Sequence, residues 1–333
     1  MTKTSYTKLS TEFDEYFSQI INEFPKHPKN LYQPVSYFLN LGGKRIRPLL
    51  TLIAVDCFNA DVKKAMPAAA AVELFHNFSL IHDDIMDNAP LRRGKQTVHE
   101  KWNSNIGILS GDVLLVKAYQ QLNKCEKDIA IELQEIFSQT AKEVCEGQQY
   151  DMDFESRENV TIEEYLEMIK LKTAVLLACC LKMGSVCAGA SRKSAEVFCT
   201  AGKNLGIAFQ LTDDYLDVFG DTAKVGKQSG GDIISNKKTW LLLKAFELAK
   251  PENKKILDFW LNKKAPIAIG VDAKEKVSAI KNIFSELNLA EILKTEIDSY
   301  YNKAFIDLRA ACSNEEKIEA FISFIKTLMH RDK

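Results

Sequence analysis

The sequence predicts an all-α protein. Glycine and proline number only 15 and 8 in 333 residues, and they fall mostly between long intervals in which apolar residues recur at steps of three and four, as on one face of a helix. Short valine-rich or alternating runs, which would predict strands, are missing. No Pro/Ser-rich linker or repeat divides the chain. We therefore expect one large helical domain over residues 1–333, with an αα-solenoid as the structural alternative.

Two helix starts are visible in the sequence. Pro48 has the fixed φ that suits a first helical residue, so it predicts a helix from Leu49 to Phe58. Thr161 is followed three residues later by Glu164, which is the spacing of a capping box. The apolar pattern after this box predicts a helix that ends near Gly184.

The most informative feature is a duplicated acidic cluster. Residues 83–87 read DDIMD and residues 213–217 read DDYLD, so the two clusters begin 130 residues apart. In a helix the first and fifth positions of such a cluster stand one above the other, with the second nearby. Three carboxylates within one turn repel one another, so a cation between them is expected. A few hard oxygen ligands, with room for water and phosphate, suit Mg²⁺.

If the two clusters face each other, they form the walls of a site for several Mg²⁺ ions and a polyphosphate. The alternative is a pair of solvated acidic helix faces. Apolar segments precede both clusters, FSLI at residues 78–81 and IAF at residues 207–209, and solvated faces seldom have such neighbours. The duplication therefore favours a Mg²⁺ site for a phosphorylated substrate.

Composition excludes several other classes of function. Lysine plus arginine total 44 and aspartate plus glutamate 45, so no net field indicates nucleic acid or an anionic membrane as a partner. Charges interrupt the apolar stretches well before the roughly 20 residues of a membrane span, and the N-terminus lacks a signal's apolar core. The eight cysteines show no paired spacing and the five histidines form no ligand pair. We therefore expect a cytoplasmic protein without stable membrane insertion, a disulfide scaffold or a transition metal.

Three basic segments accompany the acidic clusters. Residues 42–48 (GGKRIRP) form a glycine-opened turn ahead of a helix, where backbone N–H groups and basic side chains favour an anion. Residues 88–95 (NAPLRRGK) place two adjacent arginines on a loop over the first cluster, where they either bind phosphate or form salt bridges with the aspartates. Residues 220–232 contain four glycines and two lysines, which predicts a mobile lid.

Together these segments resemble the trans-isoprenyl diphosphate synthases. The shared motifs are GGKRIRP, LIHDDIMD followed by LRRG, the Lys172-Thr173 pair, and FQLTDDYLD followed by GK and GGD, in the family's order from about residue 40 to 240. The resemblance implies an all-helical bundle around a deep central cavity, a homodimer and three Mg²⁺ ions per active site, for which Mn²⁺ can substitute. It also implies head-to-tail condensation of isopentenyl diphosphate with an allylic diphosphate (dimethylallyl, geranyl or farnesyl). The products are an all-trans C15–C20 prenyl diphosphate and pyrophosphate.

The resemblance also implies roles for individual residues. The Mg²⁺ ligands are the first and fifth aspartates of each cluster, Asp83, Asp87, Asp213 and Asp217. The second aspartate of each cluster, Asp84 or Asp214, supports them. The allylic diphosphate is bound by three basic residues, Arg92, Lys172 and Lys227. A separate, metal-free pocket for isopentenyl diphosphate is formed by Lys44, Arg47, His76 and Arg93. The neutral side chains of Thr173 and Gln210 bind the allylic substrate, and their dipoles face the allylic cation. The departing pyrophosphate removes the proton, so no protein general base is needed.

Phe78 and Ser79 bear on product length. Both lie about one helical turn before Asp83, where the growing chain is expected to extend, and one isoprene unit spans the rise of about three helical residues. In the family, bulky residues at both positions imply a C15 product. A bulky residue only at the position farther from the cluster, without an insertion in the cluster, is similar to the pattern of C20 synthases. Here the farther residue is Phe78 and the nearer is the small Ser79, so the pattern favours C20, with C15 as the alternative.

Three other functions are weighed against this one. A terpene cyclase shares the helical fold and the first cluster, but its second metal motif is of an Asn/Ser/Glu type. A head-to-head synthase would have DxxxD clusters and no Gly-Gly-Lys segment. A non-catalytic regulatory subunit of a prenyl synthase usually loses one cluster, whereas both are intact here. The pattern therefore favours a catalytic trans-prenyltransferase.

Overall fold

The protein is described by a computed structural model that covers residues 2–220, 230–262 and 271–330. The all-α prediction is confirmed. In chain order the helices are α1 Thr2–Asn22, α2 Lys29–Leu39, α3 Ile46–Cys57, a 3₁₀ turn Val62–Ala65, α4 Met66–Met86, α5 Val98–Lys101, α6 Ser104–Leu122, α7 Lys127–Ser156, α8 Ile162–Ile169, a π-turn Lys170–Ala174, α9 Val175–Cys187, α10 Arg192–Phe219, α11 Gly231–Ile234, α12 Trp240–Leu248, α13 Pro251–Asn262, α14 Val271–Glu286, α15 Leu289–Ala311 and α16 Glu315–His330.

A small ribbon follows α4 and was not expected from the sequence. Strands β1 (Leu91–Arg92) and β2 (Lys95–Gln96) pair antiparallel. The two residues that join them, Arg93 and Gly94, have φ of 54° and 74°. Positive φ at both central positions is the requirement of the tight hairpin turn whose twist matches the strands. The predicted arginine loop is therefore a defined turn.

Two predicted helix boundaries need correction. Helix α3 begins at Ile46 rather than at Pro48, which lies in its first turn, where proline is tolerated because the N–H groups have no intrahelical partner. The capping box is confirmed, because Thr161 and Glu164 satisfy each other's backbone N–H. The helix after it, however, is interrupted by the π-turn and ends at Cys187 rather than near Gly184.

The first of two compact units comprises residues 1–139, 179–199 and 311–321. In it, α4 packs along α6 and against α3, and α2 also packs on α6. Residues 68–71 are four consecutive alanines that are fully buried. Their small side chains let the neighbouring helices approach the backbone of α4, the helix that carries the first acidic cluster.

The second compact unit comprises residues 140–178, 200–310 and 322–333. In its described part, α12 packs on α8 and α14, and α14 also packs on α11 and α13. The second acidic cluster lies near the C-terminal end of α10 in this unit. No helix in the three described ranges is long and apolar enough to span a membrane. The single-domain organisation of the whole chain stays a prediction.

Candidate active site

The first acidic cluster ends helix α4, and its three aspartates have different surroundings. Asp83 is half-buried and Asp87 is exposed. Asp84 is buried on the opposite side, where its Oδ1 accepts from Nε of Arg92 at 2.7 Å. Burial raises the pKa of Asp84, and the adjacent Arg92 opposes that rise. The expectation of three crowded carboxylates is therefore wrong in one respect, since only the first and fifth positions share the accessible face.

Phe78 and Ser79 lie one turn before this cluster and are both half-buried. The ring of Phe78 lies 4.7 Å from the ring of His82 and 5.4 Å from that of Phe75. His82 in turn lies 3.1 Å through Nε2 from the carbonyl oxygen of Ile108. The hydroxyl of Ser79 donates to the carbonyl of His76. Phe78 is thus supported from two sides, whereas Ser79 contributes little bulk.

The basic turn before α3 gathers the residues predicted to bind isopentenyl diphosphate. Gly42 and Gly43 have φ of 79° and 154°. The guanidinium of Arg93 lies over Gly43 so closely that a Cβ there would come within 2.9 Å of Nη2. Arg47 Nη1 lies 3.0 Å from Nε2 of His76. Lys44 is exposed on the same turn.

The charges around His76 are mostly positive. Desolvation lowers the pKa of His76 well below 6.5, and Arg47, Arg93, Arg92 and Arg45 lower it further. The Nε atom of Arg47 is buried and has no hydrogen-bond partner among the described residues. Several guanidinium groups around a neutral imidazole form a basic cluster suited to a polyanion.

Arg45 has a structural role that was not predicted from the sequence. It is the N-cap of α3 with φ of 47°, in the left-handed region that costs energy for a residue with a Cβ. Its guanidinium pairs with the buried Glu73 of α4, donates to the carbonyl of Leu39 and lies over the ring of Phe17. These contacts hold the basic turn against α4. The sequence feature that indicates this pairing is Glu73, a glutamate within the apolar part of α4.

The second acidic cluster repeats the arrangement of the first. Asp213 is exposed and Asp217 half-buried, while Asp214 is buried and accepts from the hydroxyl of Tyr165 and from the amide of Gln210 at 3.2 Å. Burial raises the pKa of Asp214 to about 7, and the hydrogen bond from Tyr165 opposes that rise. The backbone N–H of Asp232 donates to Oδ2 of Asp217 at 3.1 Å.

The predicted Lys172-Thr173 pair lies in the π-turn. Lys172 Nζ lies 2.5 Å from Oδ2 of Asp151. The hydroxyl of Thr173 donates to Oε1 of Gln210 at 3.1 Å, and Gln210 then donates to Asp214. In the second unit the structure therefore links Thr173 and Gln210, two of the residues predicted to bind the allylic substrate, to Asp214 of the second cluster.

One basic residue near this cluster was not predicted. Desolvation would lower the pKa of Lys237, but the carboxylates of Asp232, Asp151, Asp214 and Asp213 raise it above its ordinary value. A cation held among these carboxylates is well placed to bind phosphate. The lysine follows the glycine-rich segment and is one of many in the chain, so no local signal distinguished it. Lys227, the lysine predicted there, lies outside the described residues.

The donor set of each cluster fits Mg²⁺. No three histidine, cysteine, aspartate or glutamate side chains converge as a metal site in the part of the chain that the structure describes. Each cluster instead offers the two carboxylates of its first and fifth positions. Mg²⁺ in phosphate-binding enzymes is typically held by one or two carboxylates, with substrate phosphates and waters completing the octahedron.

Comparisons with known proteins show the family to which the chain belongs. The model of the polyprenyl synthetase family matches residues 28–281. The chain is 43% identical over 222 residues to a geranylgeranyl diphosphate synthase of Methanosarcina mazei (66% of this chain, 68% of the relative). It is 35% identical over 316 residues to that of Sulfolobus acidocaldarius (91% and 94%). A crystal structure of a geranylgeranyl pyrophosphate synthase superposes with a TM-score of 0.92 at 45% identity, covering 98% of this chain and 99% of that one.

The family model matches most of the chain, and the relatives are similar over most of their length. Among the functions weighed above, these matches favour the trans-prenyltransferase. The chain therefore belongs to the polyprenyl synthetase family and is a trans-prenyltransferase that extends prenyl chains head to tail.

Proposed function

We propose that this enzyme is a Mg²⁺-dependent synthase that condenses isopentenyl diphosphate with dimethylallyl, geranyl or farnesyl diphosphate and forms geranylgeranyl diphosphate, with a C15 product as the alternative. The observation that supports it most is the shared build of the two clusters. In each, the middle aspartate is buried against a hydrogen-bond donor, Arg92 or Tyr165. The first and fifth carboxylates of each cluster lie half-buried or exposed, and they would hold the metal ions.

Asp83 and Asp87 would hold two Mg²⁺ ions, and Asp213 with Asp217 the third. Bound Mg²⁺ neutralises the charge that develops on the diphosphate as the allylic carbon–oxygen bond ionises. Asp84 and Asp214 would support these ligands through their hydrogen bonds with Arg92 and Tyr165.

The basic residues divide between two diphosphates in this proposal. The allylic diphosphate would be bound by Lys172, Arg92, Lys227 and also Lys237. The diphosphate of isopentenyl diphosphate would be bound by Lys44, Arg47, His76 and Arg93. Arg92 pairs with Asp84 in the structure, so it would exchange or share this partner when the diphosphate binds. Arginine suits such sharing because its planar group offers several donors at fixed angles.

Thr173 and Gln210 would stabilise the allylic cation without trapping it. Their hydroxyl and amide groups are joined by a hydrogen bond of 3.1 Å, so their dipoles are fixed before the substrate arrives. The isopentenyl double bond attacks the cation, and the pyrophosphate that has left removes the proton. A protein general base is then not required.

We further propose a homodimer in the cytoplasm. In the first unit, Pro28, Leu31, Leu109, Val113 and Val116 line most of an apolar cleft of about 360 Å³, and Leu109 and Val116 of α6 are 57% and 55% exposed. A second copy of the chain would bury this face. Leu109→Glu should shift the mass in solution from dimer to monomer. The scattered cysteines fit a reducing compartment.

The proposal is tested by incubating the purified protein with Mg²⁺, isopentenyl diphosphate and each allylic primer separately, then sizing the dephosphorylated products by mass. A dominant C20 product from all three primers is expected. A dominant product of C30 or longer would overturn the assigned length, and absence of any elongated product would overturn the proposal.

A further inference from the structure

The π-turn Lys170–Ala174 carries Lys172 and Thr173, and two glycines allow it to pack. A π-turn inserts an extra residue into a helix and occurs often at functional sites. This one has neither proline nor glycine within it, so its own sequence does not explain it. Its environment within the second unit does, because the backbones of α7 and α10 both approach it closely.

On the α7 side the contact is made by Gly147. A Cβ at this position would lie 2.6 Å from the carbonyl carbon of Leu171 and 2.7 Å from Cα of Lys172, closer than the 3.0 Å below which real Cβ atoms essentially never come. Four residues later on the same helix face, Asp151 pairs with Lys172 Nζ at 2.5 Å. Helix α7 thus offers a glycine to the backbone of the turn and a carboxylate to its lysine.

On the α10 side the same arrangement recurs. A Cβ at Gly206 would lie 2.5 Å from Cβ of Ala174, the last residue of the turn. Four residues later, Gln210 accepts the hydrogen bond of Thr173 at 3.1 Å. Because residues four apart share a helix face, each helix contacts the turn first through a glycine and then through a polar side chain.

We propose that Gly147, Gly206 and Asp151 are positioning residues for the allylic diphosphate, acting through Lys172 and Thr173. This inference rests on the proposed function of those two residues. The glycines set the depth at which the turn lies between α7 and α10, and Asp151 sets the direction of the Lys172 ammonium. Asp151 also contributes to the negative field around Lys237, so one carboxylate orients two cations of the same subsite.

An alanine at either glycine would push the turn by a fraction of an ångström or more, because ordinary van der Waals contact begins near 3.4 Å. Displacement of a substrate-positioning group by about 1 Å can lower activity by about a hundredfold. Loss of packing alone would reduce stability without singling out one substrate.

The matched control is Gly202, one turn earlier on α10. A Cβ there would lie 2.5 Å from Cα of Ala178 in α9, so Gly202→Ala crowds the same helix to a similar degree but away from the turn. Steady-state kinetics and melting temperatures of Gly147→Ala, Gly206→Ala and Gly202→Ala are compared. At similar losses of melting temperature, the first two should lower kcat/KM for geranyl diphosphate by about ten- to a hundredfold more than the control. The KM for isopentenyl diphosphate should stay unchanged.

Asp151→Asn keeps the side-chain volume and tests the inference even where a glycine variant does not fold. It should lower kcat/KM for geranyl diphosphate at an unchanged melting temperature, while the control Asp153→Asn, at an exposed position of the same helix, should not. If Lys172→Ala itself leaves geranyl diphosphate kinetics unchanged, the proposed function of Lys172 is wrong. If Lys172→Ala impairs geranyl diphosphate kinetics but Asp151→Asn does not, the positioning inference alone is wrong. The same holds if the folded Gly147→Ala and Gly206→Ala variants show the kinetics of Gly202→Ala.

Discussion

Arg47 donates a hydrogen bond to Nε2 of His76 at 3.0 Å. A guanidinium has donors only, so Nε2 must be the acceptor and His76 is a neutral imidazole with its proton on Nδ1. The desolvation that lowers the pKa of His76 acts in the same direction. His76 therefore orients Arg47 in the basic cluster without adding a charge of its own.

This neutral state makes stability depend on pH. Below pH 6.5, the ordinary pKa of histidine, the unfolded chain gains a proton that His76 in the folded chain does not. The contribution of neutral His76 to the free energy of unfolding is present above that pH and is lost as pH falls towards the lower folded pKa. The free energy of unfolding of wild type should therefore fall by up to about 1.4 kcal/mol per pH unit below 6.5 relative to that of His76→Gln. The glutamine serves as the reference because its amide oxygen can still accept from Arg47. Urea unfolding at pH 7.5 and about 5.5 measures the difference, and identical pH dependence in both proteins would contradict it.

The two diphosphate pockets should separate in kinetics. Lys44→Ala and Arg47→Ala should raise KM chiefly for isopentenyl diphosphate, whereas Lys172→Ala should act mainly on the allylic substrate. A hydrogen bond to a charged group contributes roughly 1.5–3 kcal/mol, so shifts of about ten- to a hundredfold are expected. Effects of equal size on both substrates would mean that the pockets are assigned wrongly.

The buried pair of Arg45 and Glu73 should matter for stability. Only 11% of the Arg45 side chain and 3% of the Glu73 side chain are exposed, so Glu73→Ala leaves a poorly solvated cation and should lower the free energy of unfolding by about 3–5 kcal/mol. The control is Glu146→Ala, which removes an exposed pair with Lys142 and should cost at most about 1 kcal/mol. Comparable losses in the two variants, measured by urea unfolding, would argue against the role given to Arg45.

Product length should respond to Phe78 and Ser79. Phe78→Ala removes a ring supported by Phe75 and His82 and should lengthen the main product by at least one C5 unit. Ser79→Phe should shift the distribution towards C15, because it adds a ring nearer the acidic cluster. Chromatography of dephosphorylated products at matched turnover gives the answer. Unchanged distributions in both variants, folded and active, would make Phe78 an ordinary core residue, whose truncation costs about 3–5 kcal/mol of stability.

Local patterns made much of the fold predictable. The all-α class followed from the apolar periodicity, and the capping box at Thr161 and Glu164 is found as expected. The start of α3 was missed because Arg45 adopts a left-handed backbone, and its guanidinium contacts Glu73, Leu39 and Phe17, which no local pattern reveals. The π-turn was also missed, and the helices that approach it most closely, α7 and α10, present glycines from outside its own sequence segment.

The sequence predicts which residues form the candidate site, and this assignment stays a prediction, but the sequence does not predict the contacts among them. The spacing of each acidic cluster places its first and fifth members on one face, but it does not reveal that Asp84 and Asp214 are buried against Arg92 and Tyr165. Tyr165 lies 49 residues from its partner, beyond the reach of any helical period. Lys237 became a candidate only through the carboxylates that surround it.

The measurement that tests the central claim most directly is condensation of isopentenyl and geranyl diphosphates by wild type, Asp83→Ala and Asp213→Ala, with EDTA and after Mg²⁺ is restored. We expect wild-type turnover to stop on chelation and to return with Mg²⁺ or Mn²⁺, because the ligands are carboxylates. Each variant should stay folded and lose at least about 10²–10³-fold in kcat. Turnover that persists after complete chelation, or a loss below about tenfold in either folded variant, would contradict the assignment of the two clusters to catalysis.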